Sequence, residues 1–213
     1  MNFKRKFLAE VFGMSNILGI LGVGRWGYEA FTWGCEYPDE MEFLIVGHSS
    51  FKTNGYRYIT SKALINLIES SDAYLDSVYS DQLSKLMFSI NTLIYSQLFS
   101  KKSLQNFTQE ELDILMDTFV EECSYEDLYD FKYRTDAALN YDVEDKLSNI
   151  KAKTLIVCAS QDGYYSPEFD MLPLKDMIEN VEIYTFDDQE FVYNDDNSLF
   201  VNPFREFLEE FKK

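Results

Sequence analysis

With 213 residues, 46% of them hydrophobic and 16% aromatic, the chain can bury a substantial core, which argues against disorder. Nineteen Lys and Arg stand against 37 Asp and Glu, a formal net charge of −18, so neither a nucleic-acid nor a membrane partner is expected, and a cytoplasmic location is. Three widely spaced cysteines without a CxxC pair (Cys35, Cys123 and Cys158) support neither a disulfide framework nor a zinc site, and no metal is expected.

In chain order, Asn2 to Phe12 reads as a short amphipathic helix stopped at Gly13. Glu10 and Asn16 interrupt the apolar run that follows the basic start, which argues against a signal peptide. Four short apolar runs read as buried parallel strands: "NILGILG" from Asn16, "EFLIVG" from Glu42, "TLIVCAS" from Thr154 and "VEIYTF" from Val181. Helical patterns separate them. Trp26 to Tyr37 follows the first strand and ends at Pro38, "MLPLKDMIEN" precedes the fourth, and "NPFREFLEEFKK" closes the chain with Asn202 as N-cap and Pro203 at the first helical position.

Strands alternating with helices imply an α/β fold with a parallel sheet. Between the second and third strands lies a long helical block, in which Thr108 and Glu111 make a capping-box pattern. Such a block is too long for one crossover helix and reads as a helical cap inserted over the sheet. The expected division is an α/β core of residues 1–54 and 148–213, with residues 55–147 as the cap. The acidic run "DDQEFVYNDDN" reads as a solvated loop.

The junction of the first strand and helix, Gly22-Val23-Gly24-Arg25-Trp26-Gly27, has the spacing G-x-G-x-x-G of a dinucleotide-binding turn. That reading wants an acidic residue at the end of the second strand. The second strand ends in "IVGHSS", so no nucleotide cofactor is expected. The other strand–turn–helix device of this shape is the nucleophile elbow, G-x-S-x-G, a strained turn that presents a serine at the sheet edge.

The stretch "GVGRWGYEAFTWGCEYPDEMEFLIV" resembles the elbow region of the homoserine O-acetyltransferase branch of the α/β-hydrolases, and "YRTDAALNYDVEDKLSNIKAKTLIVCASQDGYYSPE" (Tyr133–Glu168) resembles the end of that family's cap and the strand bearing its catalytic acid. The resemblance spans nearly all of this chain but only the later half of a family member, and implies a four-stranded, mostly parallel partial α/β-hydrolase sheet with flanking helices. It puts the nucleophile position on Gly24, which has no side chain. It puts the small residue two places on at Trp26, too bulky for the usual close bend. The acid position falls on Asp162 and the histidine position near Asp188.

Of Ser, His and Asp, only the Asp remains. Acyl transfer needs an activated nucleophile within reach of a base. The chain is therefore expected to be a degenerate, truncated acyltransferase-like protein that acts as a binding or assembly partner, either as a homodimer or with a separate N-terminal half-protein. A small acyl or amino-acid-like ligand under the cap is implied by the resemblance. The alternative is an acyltransferase or esterase with a non-standard or partner-completed site. His48, the only histidine, ends the second strand with Ser49 and Ser50, and Asp162 follows the third. Neighbouring parallel strands would bring these to one sheet edge; the simpler role for His48 is a hydrogen-bonded turn residue.

Overall fold

The computed structural model describes residues 2–75, 85–123, 127–187 and 198–212. Its first element, α1 (Asn2–Phe12), closes where Gly13 takes a left-handed φ of 66° and donates its N–H to Ala9. Arg5 forks onto the Glu40 carboxylate and stacks 4.2 Å over the Tyr37 ring, and Lys4 pairs with Glu29. These contacts fix α1 beside the helix that carries Glu29 and the turn from Tyr37 to Glu40 that follows it.

The chain then runs through β1 (Gly19–Val23), α2 (Arg25–Glu36) and β2 (Phe43–Gly47). Among the described residues the helices that follow are α3 (Gly55–Glu69), the single turn α4 (Asp72–Leu75), α5 (Lys85–Leu98), α6 (Lys101–Asn106), α7 (Gln109–Cys123) and α8 (Leu128–Leu139). A 3-10 turn at Glu144–Asn149 leads into β3 (Lys153–Ala159). Short turns bridge to β4 (Val181–Phe186), and α9 (Ser198–Glu209) comes last.

The described residues fall into two units, one drawn from Met1–Lys52, Asp142–Asp188 and Val192–Lys213, the other from Thr53–Tyr141. The first is the α/β unit. Its four strands lie in the order β1-β2-β3-β4, all parallel, with Gly19 opposite Phe43, Phe43 opposite Lys153 and Thr154 opposite Val181. Side chains alternate between the faces of a strand, so one sequence feeds two layers. Phe43, Ile45, Leu155, Val157 and Ala159 join Phe186 and pack with Phe204 and Phe207 of α9. Leu44 and Val46 point the other way, toward Gly34 and Gly27 of α2. Burial on both faces explains why β2 is apolar throughout.

The second unit is helical. Leu64 and Ile68 of α3, Met87 and Ile90 of α5, and Leu128 and Phe131 of α8 form its buried cluster. The box at α7 forms as its residue types require: Glu111 N–H meets Thr108 Oγ1, and Thr108 N–H donates to Glu111 Oε2 at 2.7 Å. The Thr108 N–H and then the Thr108 hydroxyl, both donating to Glu111 Oε2, hold the Glu111 carboxyl below its ordinary range.

Three local expectations need correction. The stretch around Pro173 forms short turns at Pro167–Met171 and Leu172–Asp176 rather than a regular helix, since Pro173 supplies no N–H to continue one. The closing helix starts at Ser198, so Asn202 is not its cap and Pro203 lies inside it. One ladder bond is lost there, and burial of Phe204 and Phe207 offsets it. Trp26 does not obstruct the bend after β1: it is 69% exposed and points away from the packed turn. Most of the acidic run "DDQEFVYNDDN" lies outside the described residues.

Candidate functional site at the strand ends

Parallel strands deliver their C-terminal ends to one edge, and in open α/β sheets that edge is where ligands bind. Here it gathers the turn after β1, the tripeptide His48-Ser49-Ser50 after β2 and the loop after β3.

Gly24 is the apex of the first turn. Its φ of 58° and ψ of −126° lie where only glycine is at ease. Its N–H donates to Gly47 of the neighbouring strand, and Gly27 N–H donates back to Gly24, opening α2. The strand–turn–helix is thus bent as sharply as an elbow requires, with no side chain at its apex. A Cβ built on Gly24 would meet only the His48 carbonyl oxygen, at 3.9 Å, so the space for a side chain exists. Gly27 serves packing. A Cβ there would fall 2.2 Å from Ser49 Oγ and 3.0 Å from Val46 Cγ1, so α2 approaches β2 only because the side chain is missing.

His48 and Asp162 come together. The imidazole Nδ1 lies 2.9 Å from Asp162 Oδ2, with both groups buried. A carboxylate only accepts, so Nδ1–H donates. The other carboxylate oxygen, Oδ1, accepts the backbone N–H groups of Tyr164 at 2.9 Å and Tyr165 at 2.8 Å, which fixes the acid in place. His48 N–H donates to Val157 of β3, and the ring lies edge-on to Phe186 at 5.8 Å between centroids. His48 has a φ of 42°, unusual for a residue with a side chain. Its strand register, backbone bond and carboxylate partner all impose it.

The neighbouring hydroxyls are differently placed. Ser49 is fully buried, and its Oγ, packed against Gly27, has no hydrogen-bond partner among the described residues. Ser50 is also fully buried, its Oγ donating to the Lys52 carbonyl and accepting the Lys52 N–H. Neither faces solvent as a nucleophile must. Cys158 near the end of β3 is no substitute: burial pushes its thiol above the ordinary range, the Asp162 charge adds to this, and the Thr185 hydroxyl opposes it. Position 188, where the resemblance puts the family's histidine, lies outside the described residues.

Of the four residues that the sequence singles out, the structure joins His48 to Asp162, sets Gly24 at the turn and turns Ser49 inward toward α2. The Gly27–Ser49 contact had one sequence signal, the third glycine of G-x-G-x-x-G, whose place is close helix–strand packing. Among the described residues no group of three or more His, Cys, Asp or Glu side chains is arranged to hold a metal ion, and no helix is long and apolar enough to cross a membrane.

No protein-family model matches the chain. A protein from Methanothermobacter thermautotrophicus named "Probable acyltransferase" is 33% identical over 189 residues, which are 89% of this chain and 58% of that one. The chain thus spans somewhat more than half the length of this curated relative. Among solved structures, an acetylester hydrolase from Corynebacterium glutamicum matches with a TM-score of 0.80 at 16% identity, over 97% of this chain and 64% of that one. Homoserine O-acetyltransferase from Bacillus anthracis matches with a TM-score of 0.79 at 15% identity, over 98% and 63%. At such identities the likeness to solved structures speaks for fold alone, and on that ground the four-stranded parallel sheet with its flanking helices has the architecture of the α/β-hydrolases.

Proposed function

We propose that this chain is an acyltransferase-like protein of the α/β-hydrolase type that works by binding rather than by acyl transfer. The observation that carries the reading is Gly24: the apex of the elbow-shaped turn has no side chain, while Ser49 and Ser50 are fully buried. Without a nucleophile in reach of a base, the rate falls by orders of magnitude even where other parts of the constellation persist. The similarity to the probable acyltransferase supports the family level of this reading. Reaction with a fluorophosphonate probe, together with p-nitrophenyl acetate hydrolysis, tests it. The expected result is no labelled serine and no turnover above the buffer rate. Stoichiometric labelling of Ser49 or Ser50 would overturn it.

One observation favours a second reading, partner-completed acyl transfer. An imidazole oriented by a buried carboxylate supplies the base and its orienter, two of the three roles in acyl transfer. On this reading, a native complex purified from source cells hydrolyses the ester, and His48→Ala in this chain abolishes that activity. A complex indifferent to His48→Ala would end the second reading.

A further inference from the structure

Among the described residues the chain leaves the α/β unit for the helical unit between Lys52 and Thr53, and returns between Tyr141 and Asp142. The two crossings lie side by side. Lys52 and Asp142 form an antiparallel bridge. On one side of it Val143 N–H donates to the Phe51 carbonyl at 3.0 Å, and on the other Thr53 N–H donates to the Tyr141 carbonyl at 2.8 Å. One register thus runs through the boundary, with Phe51 opposite Val143, Lys52 opposite Asp142 and Thr53 opposite Tyr141.

Within the α/β unit both segments are clamped. Phe51 and Val143 are buried. Ser50 Oγ donates to the Lys52 carbonyl at 2.6 Å and accepts the Lys52 N–H at 3.1 Å, which sets the backbone of the outgoing segment. Asp142 Oδ1 accepts the Glu144 N–H at 2.9 Å and does the same for the returning one. Lys52 Nζ then pairs with Glu144 Oε2 at 2.6 Å, from one segment to the other. The buried Ser50 hydroxyl, which faces no solvent as a nucleophile must, has its use here.

Within the helical unit the outgoing segment turns into α3 through Asn54 and Gly55. The Asn54 side chain makes no capping bond. Gly55 has a φ of 50°, and a Cβ built on it would meet no atom within 4 Å. Glycine crosses between the two signs of φ at little cost, and open space leaves the change unopposed. The returning segment leaves α8 through Asn140, with a φ of −99° and a ψ of 13°, outside the regular helical range.

We propose that the paired crossings are a two-stranded hinge. The helical unit swings about the line that joins them, with the torsion changes taken up at Asn54–Gly55 and Asn140–Tyr141, while Ser50, Asp142 and the Lys52–Glu144 pair hold that line fast to the α/β unit. The mechanics follow from the spacing. Two connections one strand apart, about 5 Å, define a single axis. Rotation about it stretches neither connection, whereas any other rotation pulls one against the other. A few residues at element ends are enough to absorb such a motion. The hinge goes beyond the reading above and holds whether the chain binds or transfers an acyl group.

Double electron–electron resonance on the full chain tests it. Spin labels are placed at Lys62→Cys of α3 and Lys175→Cys of the α/β unit, both exposed sites, in a Cys123→Ser background where Cys35 and Cys158 are buried. Glu206→Cys with Lys175→Cys is the control within the α/β unit, and Lys62→Cys with Glu110→Cys the control within the helical unit. The distance distribution between the units is expected to be roughly twice as broad as either control. Gly55→Ala, strained at a φ of 50°, should shift its mean by several Å, and Ser50→Ala should broaden it further, with both controls unchanged. Far-ultraviolet circular dichroism checks the fold of each variant; if Ser50→Ala does not fold, Gly55→Ala carries the comparison. A distribution between the units as narrow as the controls overturns the proposal. So does a broad one that no folded variant alters, because the pivot then lies elsewhere.

Discussion

His48 and Asp162 are 114 positions apart in the chain, and their Nδ1 and Oδ2 atoms are 2.9 Å apart in a buried site. The loss of either partner should reveal what the bond contributes. His48→Ala leaves Asp162 Oδ2 without its imidazole, whereas Asp162→Asn keeps an oxygen for the Tyr164 and Tyr165 amides and an amide that can still meet the ring. We expect His48→Ala to lower stability in urea denaturation by about 1–3 kcal/mol, and Asp162→Asn to lower it less. A His48→Ala protein as stable as wild type would mean that the pair does not hold the strand ends together.

The two glycines of the first turn should fail differently when substituted. At Gly24 the obstacle is conformational, φ being 58° with room for a side chain, so Gly24→Ala should cost about 1–3 kcal/mol. At Gly27 the obstacle is steric, because an added Cβ meets Ser49 at 2.2 Å. Gly27→Ala alone should be destabilised, and Gly27→Ala with Ser49→Gly should recover much of the loss, in a double-mutant thermal-denaturation cycle. Simple additivity of the two changes would refute the contact.

Gly24→Ser should fold and still not hydrolyse p-nitrophenyl acetate. Among the described residues, only the His48 carbonyl oxygen comes within 4 Å of a Cβ at that position, so no imidazole nitrogen stands ready to take the serine proton. Turnover by Gly24→Ser that disappears with His48→Ala would show that the imidazole reaches further than this.

Arg5 and Glu40 give the attachment of α1 a pH dependence. The Arg5 hydrogen bond holds the Glu40 carboxyl below its ordinary value near 4.5; the Trp33 indole N–H adds to this, and partial burial opposes it. A carboxyl with a depressed folded-state value contributes stability that is present above its unfolded value and is lost as the pH falls through the folded one. Glu40→Gln should therefore be less stable than wild type at pH 7, with the gap narrowing as the pH falls below the ordinary carboxyl value and through the lowered folded one. A gap that is constant from pH 7 to pH 3 in parallel thermal melts would contradict this assignment.

Cysteine reactivity reports on the layer between the sheet and α2, where Cys35 and Cys158 are both buried. Burial pushes the Cys35 thiol up to about 12, Glu36 adding to the effect and Lys146 opposing it, and Cys158 is raised for the same leading reason. In a Cys123→Ser background, neither thiol should react with Ellman's reagent at pH 8 in the native protein, and both should react in denaturant. Rapid native reaction of Cys35 would show that the end of α2 opens.

The local order of the chain was legible because its signals are local. Period and punctuation marked α1 to the residue, with Gly13 as its stop, and located all four strands within about three residues at their starts. Thr108 and Glu111, three apart, could announce their own box. Where local rules pointed the wrong way, burial had the larger weight, as at Pro203, which looked like a helix start and lies within α9.

The sequence by itself determined that the turn between the first strand and helix has a glycine, Gly24, at its centre, because identity at one position needs no neighbours. Only the tertiary structure decided the rest of the site. Whether His48 meets Asp162 depends on β2 and β3 lying side by side in a register that puts Gly47 opposite Val157, a relation between segments more than a hundred residues apart. Whether Ser49 faces solvent or Gly27 depends on the pleat of β2 and the approach of α2. Such pairings are set by the packing of whole faces, and a one-residue slip would reverse them all.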